Sequence, residues 1–134
     1  MFKISPIQDK SLQEKYAGEC GAPYYPDALA YAMINEEDGS LMAMAQFDIT
    51  GPAGYIYTLS PKIGYEDFEA MFILGRATMN FIDTCGAHAC RASLDAAEER
   101  LIKAIGFKLC EEEYICDMTG MFDGHCDGHA VELK

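Results

Sequence analysis

Residues 93–109 read SLDAAEERLIKAIGFKL, and the reading of this stretch decides the fold. Ala97, Leu101, Ala104 and Ile105 recur at three- and four-residue spacing, which predicts an amphipathic helix with one apolar stripe. Asp95 is placed to cap its start, and Gly106 to stop it. Glu99 and Lys103 form an outward i,i+4 pair in the favourable order. Before the helix, residues 88–94 (HACRASL) alternate Cys90, Ala92 and Leu94 with Arg91 and Ser93, the period of a strand. After it, KLCEEEYICDMTGMF gives two strand-like runs around residues 111–113.

Outward from this unit the punctuation is equally clear. Residues 67–86 (DFEAMFILGRATMNFIDTCG) predict a long helix ended by Gly86, with Glu69, Arg76, Asn80 and Asp83 as a narrow polar stripe. The stripe is a solvated face or a dimer contact. Residues 55–59 (YIYTL) form a strand that stops at Pro61. Upstream, residues 28–34 and 41–49 flank NEEDGS, where Asp38-Gly39 supplies the positive φ of a hairpin turn. In the second arm Leu41, Ala43, Ala45, Phe47 and Ile49 alternate with Met42, Met44, Gln46 and Asp48. Residues 21–27 (GAPYYPD) make a loop, residues 8–20 a modest helix, and residues 2–7 a first short strand. The predicted order is β-α-β-β-β-α-β-α-β-β, an α/β domain with a mixed sheet that is parallel where helices cross over. Residues 1–122 form the domain and residues 123–134 a polar C-terminal tail.

Composition narrows the function. The 134 residues carry 22 acids against 10 bases, a net charge of −12. Nucleic-acid binding relies on Lys and Arg neutralising phosphates, so this balance argues against it, and against anionic membranes too. A small amine or an amine-bearing peptide is attracted instead. The start, MFKISPIQDK, has no signal-peptide pattern, and no run approaches the ~20 apolar residues of a membrane span, so a cytoplasmic location is expected. The six cysteines fall mostly within apolar patterns and read as small buried hydrophobes of a reducing compartment.

The segment opening at Ser93 resembles the strand–helix–Gly-Phe–strand segment of the GNAT superfamily, the acetyl-CoA-dependent N-acetyltransferases. There a strand ends at Asn and the helix follows a pattern like N-x-x-A-x-x-L-Y-E-K-x-G-F. Asp95 stands at the Asn position, Leu101 at the Leu, Lys103 and Ala104 at the Glu-Lys pair, and Gly106-Phe107 at the Gly-Phe. YTLSP, ending at Pro61, is similar to the end of the family's fourth strand, which leads to the cofactor loop. The element order matches from Lys3 to about Phe122.

The resemblance implies a GNAT-like fold and an N-acyltransferase that takes acetyl-CoA or another acyl-CoA as co-substrate. It places that ligand in the gap between strands ending near Leu59 and Leu94, with Leu59, Ser60, Lys62 and Gly64 as cofactor-binding residues. Two departures stand beside it. The family's Q/R-x-x-G-x-G/A pyrophosphate loop is represented only by Gly64, and Glu66, Asp67 and Glu69 crowd the helix start, where each would repel a phosphate. The catalytic Tyr of many members falls at Ile102, so no proton donor is identified. Tyr55, Tyr57, Asp48 and Gln46 are lesser base candidates. The alternative is a non-catalytic binding module that keeps the fold and has lost the phosphate cradle.

Three further signals carry less. Tyr24, Tyr25 and Tyr31 are candidates for the wall of an acceptor pocket, or for ordinary core packing. Cys85, His88 and Cys90 resemble a Cys-His nucleophile but flank a helix end and a core strand. In GHCDGH (residues 124–129), Cys126 and His129 lie three apart, with Asp123, His125 and Asp127 nearby. Zinc needs about four ligands, with Cys116 the nearest fourth, and no second short-spaced pair exists; no metal is expected.

Overall fold

The computed structural model describes residues 1–122. The elements are β1 (Phe2–Pro6), α1 (Lys10–Glu19), β2 (Leu29–Asn35), β3 (Leu41–Thr50), β4 (Ala53–Pro61), α2 (Phe68–Thr84), β5 (Ala89–Ala92), α3 (Glu99–Ala104), β6 (Lys108–Cys110) and β7 (Glu113–Asp117). They follow the order expected from the sequence. The seven strands form one mixed sheet in the order β1-β2-β3-β4-β5-β7-β6. Only β4 and β5 pair in parallel, which is where α2 crosses over.

The two faces of the sheet are filled unequally. On one, α2 and α3 press Leu74, Met79, Ile82, Ile102 and Ile105 onto Ala45, Phe47, Ile56 and Leu59, all fully buried or nearly so. Gly54 makes this approach possible, because a Cβ there would stand 2.5 Å from Ile82 Cγ2. On the other face α1 covers a smaller cluster of Ile7, Ala17, Ala30, Ala32, Leu41 and Met44. Both faces of β3 are therefore covered, and every residue from Leu41 to Phe47 is buried. Asp67 caps α2 by accepting the Ala70 amide at 3.0 Å, and Gly86, at φ +100°, follows the last turn. Among the described residues no helix is long and apolar enough to cross a membrane.

The unit around residues 93–109 departs from expectation in detail. Strand β5 ends at Ala92, and Leu94 is 54% exposed. Helix α3 has six residues, and its first cap is Glu98, which makes no side-chain bond. Asp95 does not cap it, because its carboxylate instead accepts the Ser93 hydroxyl at 3.0 Å in the preceding turn. Ala104 is exposed, and Ile102 takes its place on the buried stripe. The polar stripe of α2 is not simply solvated: Arg76 donates from Nε to the Ile105 carbonyl at 2.8 Å, tying α2 to the end of α3. Cys20, Cys90 and Cys116 are buried, but Cys85 and Cys110 are exposed. The tail from Asp123, with His125, Cys126, Asp127 and His129, lies outside the described residues.

Candidate functional site

The site begins as an irregularity in β4. Gln46 pairs with Thr58 and Phe47 with Ile56, so Tyr57 is an extra residue bulged out of the ladder. A bulge bends its strand and strengthens the local twist. The parallel ladder with β5 runs only from Ala53↔Ala89 to Ile56↔Ala92, ending where the bulge begins. Beyond it only single backbone bonds join the chain after β5 to β4, from the Ser93 amide to the Ile56 carbonyl (3.2 Å) and from the Leu59 amide to Ala96 (2.7 Å). From Leu59 onward a cleft of about 860 Å³ lies between the end of β4, the loop after it, the start of α2 and α3. That is ample for a cofactor-sized ligand.

Leu59, Ser60, Lys62 and Gly64 all line this cleft. Their backbone is less free than the resemblance implies. The Leu59 amide donates to the Ala96 carbonyl at 2.7 Å, a strap that crosses the gap. The Lys62 amide donates to Met42, Ile63 to Glu19 and Tyr65 to Lys62, at 2.8–2.9 Å. Gly64, at φ +90°, has no such backbone partner among the described residues. Charge at the cleft is divided. Lys62 and Arg100 face Glu66, Asp67, Asp95 and Glu98 across its lining. The Arg100 guanidinium lies 3.9 Å from the Phe68 ring centroid, so a cation is held beside the first turn of α2. Arg100 was not singled out from the sequence. Its only signal is its place before Leu101, outside the stripe that buries α3.

On the opposite face of β4 the side chains of Tyr55 and Tyr57 meet edge to face, with centroids 4.8 Å apart. Tyr25 stacks on Tyr57 at 4.7 Å. The three candidate loop tyrosines thus separate: Tyr31 packs on Phe47 and Phe81 in the main core, and Tyr24 on the α1 cluster. Only Tyr25 joins the Tyr55–Tyr57 pair. A buried polar clamp puts it there. Gln46 accepts from Gln13 Nε2 (2.9 Å) and the Tyr25 amide (3.0 Å), and donates to the Pro23 carbonyl (2.8 Å) and Thr58 Oγ1 (3.1 Å). Gln46 is wholly buried and serves this clamp, so it is not a base candidate. The Tyr57 hydroxyl donates to Asp48 Oδ2 at 3.0 Å. Burial, then Asp48, holds the Tyr57 phenol above its ordinary range. Tyr55 is raised by burial and by the carboxylates of Glu113 and Asp95. Both phenols are therefore proton-bearing donors at neutral pH rather than bases.

The remaining candidates do not assemble. Ile102 is fully buried in the main core, so its position supplies no proton. His88 Nδ1 pairs with Asp83 at 2.5 Å, and burial pushes the Cys90 thiol up to about 12, which leaves it inert. The described residues contain no cluster of metal-ligating side chains.

No family model and no curated protein matches the chain by sequence. Solved structures match it by shape. A GNAT-family structure from Desulfovibrio desulfuricans superposes with a TM-score of 0.70 at 11% identity, covering 88% of this chain and 99% of its own. An N-acetyltransferase from Staphylococcus aureus gives 0.69 at 11% identity, covering 89% and 99%. The PaiA N-acetyltransferase of Thermoplasma acidophilum, solved with coenzyme A, gives 0.65 at 14% identity, covering 86% and 96%. The chain therefore has the GNAT acyltransferase fold.

Proposed function

We propose that the protein is an acyl-CoA-dependent N-acyltransferase whose acceptor is a small amine or a peptide amine. One observation carries this reading: the regular β4–β5 ladder stops at the bulge, and a cleft of cofactor size lies beside Leu59 and Ser60 at the end of β4. The match to N-acetyltransferases of the same shape, one solved with coenzyme A, supports it. The pantetheine arm would lie along Leu59 and Ser60. Lys62 and Arg100 would meet the phosphates with side-chain charge, in place of the missing glycine-rich backbone cradle. Gly64 would leave room for the chain to pass close.

The reaction forms a C–N bond as the thioester C–S bond breaks. The amine sheds a proton, and the thiolate gains one at the open mouth. With Ile102 in the acid position, rate enhancement rests on holding amine and thioester together. Polarisation of the thioester carbonyl by the Leu59 amide requires that the Ala96 carbonyl first give it up.

Calorimetric titration with acetyl-CoA and with CoA tests the reading. Saturable micromolar binding is expected, weakened several-fold by Lys62→Ala and by Arg100→Ala, followed by acetylation in an amine panel. No heat with the folded protein at millimolar ligand would overturn it and leave a non-catalytic interaction module.

A further inference from the structure

The apolar cluster beneath α1 contains no residue of β4, β5 or β7, and on that part of the sheet face stand Tyr55, Tyr57, Arg91, Glu113 and Ile115. Tyr25, Tyr55 and Tyr57 lie there half-buried, as a contiguous shelf of rings. Carboxylates stand around it. Asp48 bonds the Tyr57 hydroxyl at 3.0 Å, and Glu113, paired with Arg91 at 3.3 Å, approaches Tyr55. Asp95 joins the shelf to the cleft. It lines the cleft, acts on the Tyr55 phenol, and accepts from Ser93, whose hydroxyl also lies 3.4 Å from the Tyr57 carbonyl. Three carboxylates against one guanidinium leave the shelf net anionic.

We infer that the shelf of Tyr25, Tyr55 and Tyr57 between Asp48 and Asp95 binds an aliphatic organic cation, an alkylammonium with no carboxylate of its own. Aromatic faces attract an ammonium through their quadrupole, and the carboxylates complete its charge. The same carboxylates repel a free α-amino acid or an acidic peptide, whose anion would lie within a few ångströms of the amine. Acylation of this cation rests on the acyl-transfer reading above, whereas its binding does not. Asp95, at the junction, is where the cation would release one proton to water and meet the acyl donor as the free amine.

The test titrates the full chain, with its tyrosine rings isotopically labelled, with n-butylammonium chloride and with sodium butyrate. Ring signals are assigned by single Tyr→Phe variants. Saturable millimolar shifts confined to Tyr25, Tyr55 and Tyr57 with butylammonium, and none with butyrate, are expected. Tyr57→Leu should weaken binding about five-fold, as expected for one lost cation–π face. Asp48→Asn, which keeps an acceptor for the Tyr57 hydroxyl, should weaken it about two-fold at low salt and less at high salt. The absence of ring shifts in the folded wild-type protein, or equal shifts with butyrate, would overturn the inference. Ring shifts without acetyl-CoA heat would keep the shelf and sink the acyl-transfer reading; heat without ring shifts would do the reverse.

Discussion

Replacing Gln46 by Leu removes four hydrogen bonds at nearly constant side-chain volume. The Gln13 amide nitrogen keeps a partner, because it also donates to the Tyr25 carbonyl at 2.9 Å. The Tyr25 amide and the Pro23 carbonyl lose the partners they have in Gln46, and so does the Thr58 hydroxyl. An unsatisfied buried group costs about 1–3 kcal/mol, but the Pro23 and Tyr25 groups lie near solvent and can rewet. The expected loss is about 2–4 kcal/mol, with the low end set by rewetting and by the apolar gain of Leu. For a chain of this length that corresponds to a fall in Tm of roughly 8–15 °C. Urea unfolding followed by tyrosine fluorescence measures the loss. The near-ultraviolet dichroism of the stacked Tyr25–Tyr57 pair should collapse first, since the clamp seats Tyr25. A loss under about 0.5 kcal/mol with the tyrosine dichroism intact would refute the reasoning.

Other perturbations probe the sheet–helix contact, the α2 cap and the buried thiols. Gly54→Ala drives a methyl into Ile82, itself wholly buried, and should cost about 1–3 kcal/mol, seen as a lower urea midpoint at unchanged slope. Asp67→Ser keeps a cap for α2 while removing a carboxylate from the cleft. Stability should hold within about 0.5 kcal/mol and acetyl-CoA should bind more tightly in the calorimeter. Native alkylation should label Cys85 and Cys110 quickly, and Cys20, Cys90 and Cys116 only on unfolding. Burial pushes the Cys20 and Cys90 thiols up to about 12, while the unfolded chain releases those protons near pH 9. Their contribution is therefore full below pH 9 and is lost as pH rises towards 12, so urea midpoints should fall over that alkaline window.

The fold was legible because its punctuation is local. Asp38-Gly39 turns the hairpin, Gly86 ends the long helix, and Gly106-Phe107 starts the returning strand; each acts through backbone conformation that one residue decides. The start of α3 was not legible, since Asp95 serves equally as a helix cap or as a partner for Ser93, and only the turn geometry chooses. Leu59, Ser60, Lys62 and Gly64 could be placed together because YTLSP resembles the end of a strand that leads to a cofactor loop, and all four fall within six residues of one another. Arg100 could not, because its approach to Phe68 depends on how α3 packs on α2. Nor could the clamp: Gln13 in a polar helix looks like any solvated glutamine, and nothing local pairs it with Gln46. The bulge at Tyr57 is a mismatch of register between two strands, which neither strand carries alone.

That clamp has a kinetic consequence. Within α1 only Gln13 and Ala17 are buried, and the helix is held by Lys10 and Gln13 reaching Ala28, Tyr25 and Gln46. Releasing it would break these hydrogen bonds and uncover the smaller apolar cluster of Ile7, Ala30, Ala32, Leu41 and Met44, while the larger core under α2 and α3 stays closed. Such an opening has a smaller urea dependence and heat-capacity change than global unfolding, because only one of the two clusters is exposed. It is a sub-global breathing mode, visible in native-state hydrogen exchange as α1 amides whose opening energy falls less steeply with denaturant than that of the core strands. Because the segment that carries Tyr25 is tied to the same bonds, each breath of α1 would also lift one ring from the sheet. The rate at which ligands enter and leave that face is then set by the helix behind it.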